Sequence, residues 1–215
     1  MPVRTATRME LHASRHLLAL AREGEDLLEE KRSALLRELM RMADRALTEG
    51  AELDHAAAVA LESLQLAAAL DGPEGVHSAA LAVTATGDLF EVEIEGAMVL
   101  GVPVPRIFPR AQRRQPGSQG YSLAFSSARI DQVAATFEDE LDCLVRVAET
   151  EARVRRVGDE IQSTSRRVNA LRHVVIPALE RDSRRIAAVL EEREREDHDR
   201  LRHLKRVRTQ DHDDR

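Results

Sequence analysis

The sequence has few aromatic residues and a single cysteine, and it contains no long apolar run. Aromatic residues make up 2% of the 215 residues, with no tryptophan, one tyrosine and four phenylalanines. Aromatic side chains usually dominate the energetics of a core, so this chain has little material for a thick one. Charged residues reach 33%, and the apolar residues are mostly alanine, leucine and valine. This mixture is typical of long helical proteins that bury a narrow seam.

These shortages exclude several classes of function. The single Cys143 excludes an intrachain disulfide and a cysteine-built zinc site. A net charge of −6 argues against a broad basic field for nucleic acid. No apolar run approaches the ~20 residues of a membrane-spanning helix. Neither lysine, Lys31 or Lys205, follows a glycine-rich turn, so no phosphate-binding loop is present and no cofactor is expected.

Metal binding is not expected either. His12 and His16 lie four residues apart on a predicted helix, but two ligands do not make a site, and a solvated pair is the simpler interpretation. A helical-bundle metal oxidase would need several Glu-x-x-His pairs on facing helices. Only Glu52 with His55 offers such a pair away from a helix breaker. We therefore expect no catalytic residue and no metal ligand.

Four segments divide the chain. Residues 1–70 lack proline after position 2, and their apolar residues recur at helical spacing in two series. Asp71-Gly72-Pro73 is a helix breaker. The predicted segments are an N-terminal coiled-coil helix at 1–70, a turn region with a β-hairpin and a flexible loop at 71–125, a C-terminal coiled-coil helix at 126–196, and a charged tail that frays or is disordered at 197–215. The two heptad series are Leu20, Leu27 and Ala34, and Leu28, Leu35 and Met42.

The turn region carries a period of two. Its apolar and acidic residues alternate as Phe90, Val92 and Ile94 with Glu91, Glu93 and Glu95. This alternation predicts a half-buried strand whose glutamates are solvated or contact a partner. Gly96 follows, and a second strand is expected before Pro103-Val104-Pro105. The polar segment 110–120 is predicted to be a flexible loop.

The C-terminal helix has the clearest heptad pattern. Its seam positions are Val154, Val157, Ile161, Thr164, Val168, Leu171 and Val175, and after Pro177 they shift by one to Leu179, Ile186 and Val189 or Leu190. Such a seam requires a second helix, which the N-terminal segment supplies. Because a proline removes one helical hydrogen bond, we predict a bend or a register adjustment at 174–177. With Leu70 opposite Ser126, residues 165–179 should face residues 17–31.

Specific motifs then identify a family. The run Ser165-Arg166-Arg167-Val168-Asn169-Ala170-Leu171, followed by His173-Val174-Val175-Ile176-Pro177, strongly resembles the C-terminal signature of the D subunit of V-type and A-type rotary ATPases. Matching motifs elsewhere are Thr7-Arg8-Met9, Gly24, Leu27-Leu28, Lys31-Arg32, Ala34-Leu35, Val99-Leu100-Gly101-Val102, Val104-Pro105, Tyr121-Ser122-Leu123 and Ser127-Ala128-Arg129. One departure is Arg172, where that family commonly carries glutamate.

The resemblance implies a non-catalytic rotor shaft. It would couple ion translocation, such as hydrogen ion transport, to ATP synthesis or hydrolysis by transmitting torque to the catalytic head. The implied partners are the catalytic and nucleotide-binding head subunits, a companion F subunit of the stalk and a rotor-ring adaptor. The implied location is the cytoplasmic face of a membrane, as a peripheral part of the complex. The alternative is a generic coiled-coil scaffold or adaptor, which explains the heptads equally well but not the signature run.

Partner contacts are expected at the signature and at its N-terminal counterpart. The candidate contact residues are Arg166, Arg167, Asn169, His173, Ile176, Pro177, Lys31 and Arg32. For the two arginines of the signature, an equally good interpretation is that they are solvated side chains flanking the Val168 seam.

Overall fold

Helices form most of the chain. The computed structural model describes residues 6–85, 92–109 and 127–213. The elements are α1 (Arg8–Asp71), α2 (Pro73–Ala85), β1 (Val92–Val99), β2 (Val102–Pro109), α3 (Ala128–Ala170), a π-helical turn (Leu171–Val175) and α4 (Ile176–Asp213). The prediction of a mainly α chain with a β-hairpin between two long helical regions is confirmed. Within the described ranges, no helix has both the length and the apolar character needed to cross a bilayer.

The predicted breaker ends α1 where expected. Gly72 has a φ of 79°, a left-handed conformation that glycine adopts without steric cost, and α1 stops at the residue before it. Pro73 then begins α2 at a position where a helix has no use for a backbone N–H. The helix α2 was not predicted, because the sequence around this breaker indicates only turn and loop before the hairpin.

The hairpin turns later than predicted. β1 continues through Gly96 to Val99, and the turn consists of Leu100 and Gly101, with φ of 49° and 78°. Two consecutive positive φ values are what a two-residue hairpin needs to match the twist of its strands. Gly96 instead pairs with Pro105 across the antiparallel ladder. The predicted loop at 110–120 lies outside the described residues.

The prediction that β1 is half-buried was wrong for most of the strand. Val92 is 37% exposed and Ile94 is 64% exposed, while Glu93 and Glu95 are exposed on the opposite face. Only the end of the strand near the turn is covered, where Ala97 and Val99 pack against the core. The alternation in the sequence correctly predicts a strand. It does not predict which face is covered, because that depends on where the hairpin docks.

Prolines occupy the outer edge of β2. In a two-residue hairpin the closing pair, Val99 and Val102, exchanges backbone hydrogen bonds, and bonded and non-bonded pairs alternate from there. Pro103, Pro105 and Pro109 all fall at non-bonded positions, where the missing N–H would point away from β1. A second strand that contains prolines is therefore possible, provided that it is an edge strand.

The chain divides into two compact units. One contains residues 34–161, and the other combines Met1–Ser33 with Gln162–Arg215. We call them the hairpin unit and the terminal unit. The hairpin unit has a core in which α1, the hairpin and α3 meet, built on Leu35, Met42, Val102, Val104 and Val157.

Hydrogen bonds fix the pairing of α1 with α3 in the hairpin unit. Thr150 Oγ1 donates to Glu49 Oε2 at 2.6 Å in a buried contact, and the hydroxyls of Ser63 and Thr136 lie 2.8 Å apart. At the end of α1, Asp71 accepts bonds from Ser127 and Arg129. The last contact confirms the predicted pairing of the region around Leu70 with that around Ser126.

The terminal unit pairs the start of α1 with the C-terminal helical region. Arg172 Nε lies 2.6 Å from Glu25 Oε1, so residues 165–179 do meet residues 17–31, as predicted. Further along, Arg22 pairs with Glu180 at 2.6 Å. The helix α4 continues to Asp213, through most of the tail for which fraying was expected. Fraying of that tail in solution stays a prediction.

A π-helical turn provides the predicted register adjustment. Pro177 has no N–H, so the α-helical bond to the His173 carbonyl cannot form, and its ring would crowd that carbonyl. The backbone widens instead, and the Ile176 N–H donates to the Leu171 carbonyl, five residues back. The extra residue moves the seam by one position. Val175, a predicted seam residue, is therefore 38% exposed, and Ile176 is buried in its place.

The remaining seam predictions hold in most positions. Val157, Thr164 and Val168 are fully buried, and Ile186 is 3% exposed beyond the π-turn. Apart from Val175, the other predicted seam residues of the C-terminal helical region are half-buried, except Val189, which is 38% exposed. Of the two N-terminal series, the one containing Leu35 and Met42 forms the seam. The other is largely on the surface, with Leu20 at 55% and Leu27 at 60% exposed.

Candidate partner-contact surface

The signature residues lie around the π-turn of the terminal unit. Arg166, Arg167 and Asn169 are exposed on the last turns of α3, and His173 is exposed within the π-turn. A π-turn is rare and often marks a functional position, because it changes the direction of the side chains that follow. These four side chains are therefore available to a partner.

The other four predicted contact residues are less accessible. Ile176 is 8% exposed and belongs to the buried seam, while Pro177 is half-buried and causes the π-turn. Lys31 and Arg32 are half-buried on α1, and Arg32 forms an ion pair with Glu29. These four positions are therefore less accessible to a partner than the four exposed side chains of the signature.

Arg172 anchors this surface to α1. Its guanidinium lies 2.6 Å from Glu25 and 3.1 Å from Glu29. Hydrogen bonding and charge from Glu25, with a smaller contribution from Glu29, hold the pKa of Arg172 above its usual value. In the sequence, Arg172 stands out only as a departure from a family pattern. Its partners could not be read from the sequence, because several glutamates of α1 lie within reach of the predicted register.

A second exposed surface lies on α1 in the hairpin unit. Leu36, Met40 and Leu47 are 43%, 65% and 76% exposed. At 3.6 residues per turn they fall on one side of the helix. Contiguous exposed apolar patches mark interaction sites, whereas apolar residues scattered singly do not, so this row is a candidate contact surface. The heptad pattern does not reveal it, because these residues lie outside the seam series.

The described residues were also compared with the requirements of a metal site. Within the parts of the chain that the structure describes, no group of three or more histidine, cysteine, aspartate or glutamate side chains could hold a metal ion. His12 lies at a shallow groove between α1 and α4 with Arg8, Arg15 and Glu194. That groove combines charges of both signs on an open surface, so it has no single ligand preference.

Comparison with known proteins assigns the family. The family model for the D subunit of ATP synthase matches residues 10–206. The chain is 43% identical over 203 residues to the V-type ATP synthase D subunit of Thermus thermophilus, covering 93% of this chain and 86% of that protein. It is 39% identical over 199 residues to the A-type ATP synthase D subunit of Thermococcus kodakarensis, covering 93% and 92%. The V-type D subunit from Deinococcus deserti is 42% identical over 191 residues, covering 88% and 82%.

Proposed function

We propose, from the premise that this chain belongs to the family of ATP synthase D subunits, that it is the central-stalk rotor component of a rotary ATP synthase. In this role it has no catalytic site and transmits torque between an ion-driven rotor ring and a catalytic head. The observation that carries the proposal is the family match over residues 10–206, combined with paired long helices in both compact units.

Torque transmission requires that two paired helices do not slide along each other. In the hairpin unit, sliding by one helical turn, about 5.4 Å, would separate Thr150 from Glu49 and Ser63 from Thr136. The slide would take from the buried Glu49 carboxylate its Thr150 donor and from the buried Thr150 hydroxyl its acceptor, which is costly. A helix pair with such contacts is better suited to carry load than one held by apolar contacts alone, which are non-directional.

The head contact is proposed at the exposed signature residues. Arg166, Arg167, Asn169 and His173 present polar and positively charged groups at the π-turn. A rotating shaft must meet several head subunits in succession without binding any of them tightly. Exposed charged contacts are individually weak, so they fit this requirement better than a large apolar patch.

The companion F subunit of the stalk is proposed to bind the exposed row on α1. Leu36, Met40 and Leu47 would be covered by an apolar face of that companion, which would remain bound during rotation.

A rotor-ring adaptor is the third proposed partner. The assembly is proposed to lie at the cytoplasmic face of the membrane, with this chain as a peripheral component.

Co-expression with head and companion subunits, followed by native mass spectrometry, tests the assignment. We expect one copy of this chain in a complex with a ring of alternating head subunits. Self-association without any head or stalk partner would instead support the alternative, a coiled-coil scaffold. The result separates the two functions because a scaffold has no reason to occupy the centre of such a ring.

The contact residues have a matched control on the same helix. In the reconstituted complex, the double variant Arg166→Ala, Arg167→Ala should lower the number of ions moved per ATP hydrolysed. A second exposed arginine pair on α3 gives the control, Arg155→Ala with Arg156→Ala, which should leave that ratio unchanged. Equal effects of the two double variants would contradict a head contact at the signature.

A further inference from the structure

The two edges of the β-hairpin differ in the partners of their backbone. The outer edge of β2 is closed by prolines and by α3. Its one outward N–H between the prolines, that of Ile107, donates to Glu149 Oε2 at 2.9 Å. The outward carbonyl of Pro105 accepts a bond from Arg153 Nε at 3.1 Å, and Arg153 also pairs with Glu149 at 2.7 Å. This part of the edge is therefore closed to another strand.

The outer edge of β1 has no comparable closure by any residue that the structure describes. Since Val99 and Val102 form the bonded closing pair, the N–H and C=O groups of Val92, Ile94, Gly96 and Met98 point away from β2. Among the described residues, none bonds to these groups. The strand itself, Val92–Val99, contains no proline to protect this edge. An exposed strand edge of this kind is a template for pairing with another strand.

The two faces of β1 differ in chemistry. On one face, Val92, Ile94 and Met98 are 37%, 64% and 69% exposed, with no charged residue among them. On the other face, the exposed carboxylates of Glu93 and Glu95 form no ion pair with any described residue. The nearest cation in the ladder is Arg106, opposite Glu95, and its guanidinium lies over the Phe108 ring at 4.7 Å. The open edge is therefore apolar on one side and acidic on the other.

We propose that the open edge of β1 binds an extended segment of a partner protein in which apolar and basic residues alternate, adding a third strand to the hairpin. Backbone hydrogen bonds would provide affinity, and alternate side chains would provide specificity. A strand added at the usual spacing of about 4.8 Å would place its apolar residues beside Ile94 and Met98. Its lysines or arginines would lie beside Glu93 and Glu95, where cross-strand pairs of opposite charge are favourable.

A defined probe tests this proposal on the full-length chain. The probe is a short synthetic peptide that alternates valine and lysine, and binding is followed by hydrogen exchange of the hairpin amides. We expect slower exchange at Ile94, Gly96 and Met98 when the peptide is bound. A peptide that alternates valine and glutamate should bind at least about tenfold more weakly. Equal binding of the two peptides would overturn the assignment of a basic segment.

Gly96 offers a matched pair of variants. A Cβ at Gly96 would meet no atom within 4 Å and the residue lacks a positive φ, so alanine fits. Proline is compatible with this outward position of an edge strand, where no N–H is needed for the ladder. Gly96→Pro removes one outward N–H, as the prolines of β2 do, without breaking the bonds to β2. Gly96→Ala keeps that N–H. We expect Gly96→Pro to weaken binding by about tenfold or more and Gly96→Ala to leave it unchanged. Equal affinity of the two variants would overturn the proposal.

Two further measurements keep the test decisive. If Gly96→Pro disturbs the hairpin, a peptide that is N-methylated on the edge facing β1 repeats the test with the native chain. Retained binding of that peptide would overturn the proposal.

Analytical ultracentrifugation shows whether the free chain dimerises. If it does, and if Gly96→Pro abolishes the dimer while Gly96→Ala does not, the edge pairs with a second copy, and the heterologous partner is overturned. The proposal does not depend on a rotor function, because binding is measured with no other protein of an assembly present.

Discussion

The two compact units bury hydroxyl groups in opposite ways. In the hairpin unit, Thr150 donates to Glu49, and Thr136 lies within hydrogen-bonding distance of Ser63. In the terminal unit, the buried hydroxyls of Ser14 and Thr164 have no hydrogen-bond partner among the described residues. The pairing of helices is therefore specified by directional contacts in one unit. In the other it depends on the apolar seam of Val168, Ile176 and Ile186 and on ion pairs at the surface.

Apart from the pairs of Arg172 with Glu25 and Glu29, the ion pairs that join the helices of the terminal unit are too exposed to replace those contacts. Arg8 and Glu194, which pair at 2.6 Å, are 81% and 57% exposed, and Arg22 in its pair with Glu180 is 58% exposed. Such pairs contribute between zero and about 1 kcal/mol each. We infer that helix pairing is more tightly specified in the hairpin unit than in the terminal unit. Substitutions in the two units, followed by measurements of stability, test that difference.

Removing a core side chain should have the largest effect. Leu35 is fully buried where α1 meets the hairpin, so Leu35→Ala should lower the free energy of unfolding by about 2–5 kcal/mol. The neighbouring Leu36 is 43% exposed, and Leu36→Ala should cost less than about 1 kcal/mol. Denaturant unfolding measures both values. Similar losses for the two variants would contradict the packing of the core on Leu35.

The same substitution should have opposite effects in the two units. Thr150→Val removes a donor from the buried Glu49 and should destabilise the chain by about 1–3 kcal/mol. Thr164→Val replaces a buried hydroxyl that no described residue satisfies with a methyl group of similar size, and should stabilise the chain by about 1 kcal/mol. Hydrogen exchange localises each change to its unit. A loss of stability in both variants would remove the distinction between the units.

Acid should weaken the hairpin unit through Glu49. Burial alone would raise the pKa of Glu49, but hydrogen bonds from Thr150 and Arg45 outweigh it, and the pKa is lowered. A lowered folded-state pKa stabilises the fold above the unfolded-state value of about 4.3, and this stabilisation is lost as the pH falls further. Between about pH 5 and pH 3, Glu49→Gln should therefore lose less stability than the native chain.

An exposed glutamate provides the control for the acid experiment. Glu52 is 54% exposed and pairs with Arg146 at 3.2 Å, so Glu52→Gln should follow the native pH dependence closely. Denaturant midpoints measured across the pH range give the comparison. If Glu49→Gln lost stability with falling pH as steeply as the native chain does, the buried carboxylate would not contribute to the pH dependence of stability.

The smallest effect is expected from the surface of the terminal unit. A double-mutant cycle on Arg22→Ala and Glu180→Ala should give a coupling energy below about 1 kcal/mol, and salt should reduce it further. A coupling energy of several kcal/mol that salt does not reduce would show that exposed pairs specify the terminal unit after all.

Much of the helical architecture could be predicted because heptads repeat. The seam around Val157 and Val168, the end of α1 near Gly72 and the pairing of residues 165–179 with residues 17–31 all follow from spacing and from helix breakers. Spacing failed where the backbone departs from the α-helix. The π-turn caused by Pro177 moved the seam from Val175 to Ile176, and a proline predicts a disturbance without giving its form.

The candidate surfaces were only partly predictable. Arg166, Arg167 and His173 of the signature run are exposed. Their role as contacts stays a prediction. The exposed row on α1 was not predicted, because an apolar residue outside the seam looks the same in the sequence whether solvent or a partner covers it. The open edge of β1 also escaped notice, because an unpaired backbone group leaves no trace in the sequence.

The sequence alone determined the family, the antiparallel pairing of long helices and the existence of the hairpin. Those features depend on local periodicity and on motifs, which are properties of neighbours along the chain. Only the tertiary structure decided which face of the hairpin is covered, which of its two edges is closed and which buried hydroxyls find partners. The docking of the hairpin onto α1 and α3, and the side chains that meet across paired helices, depend on contacts between residues far apart in the sequence.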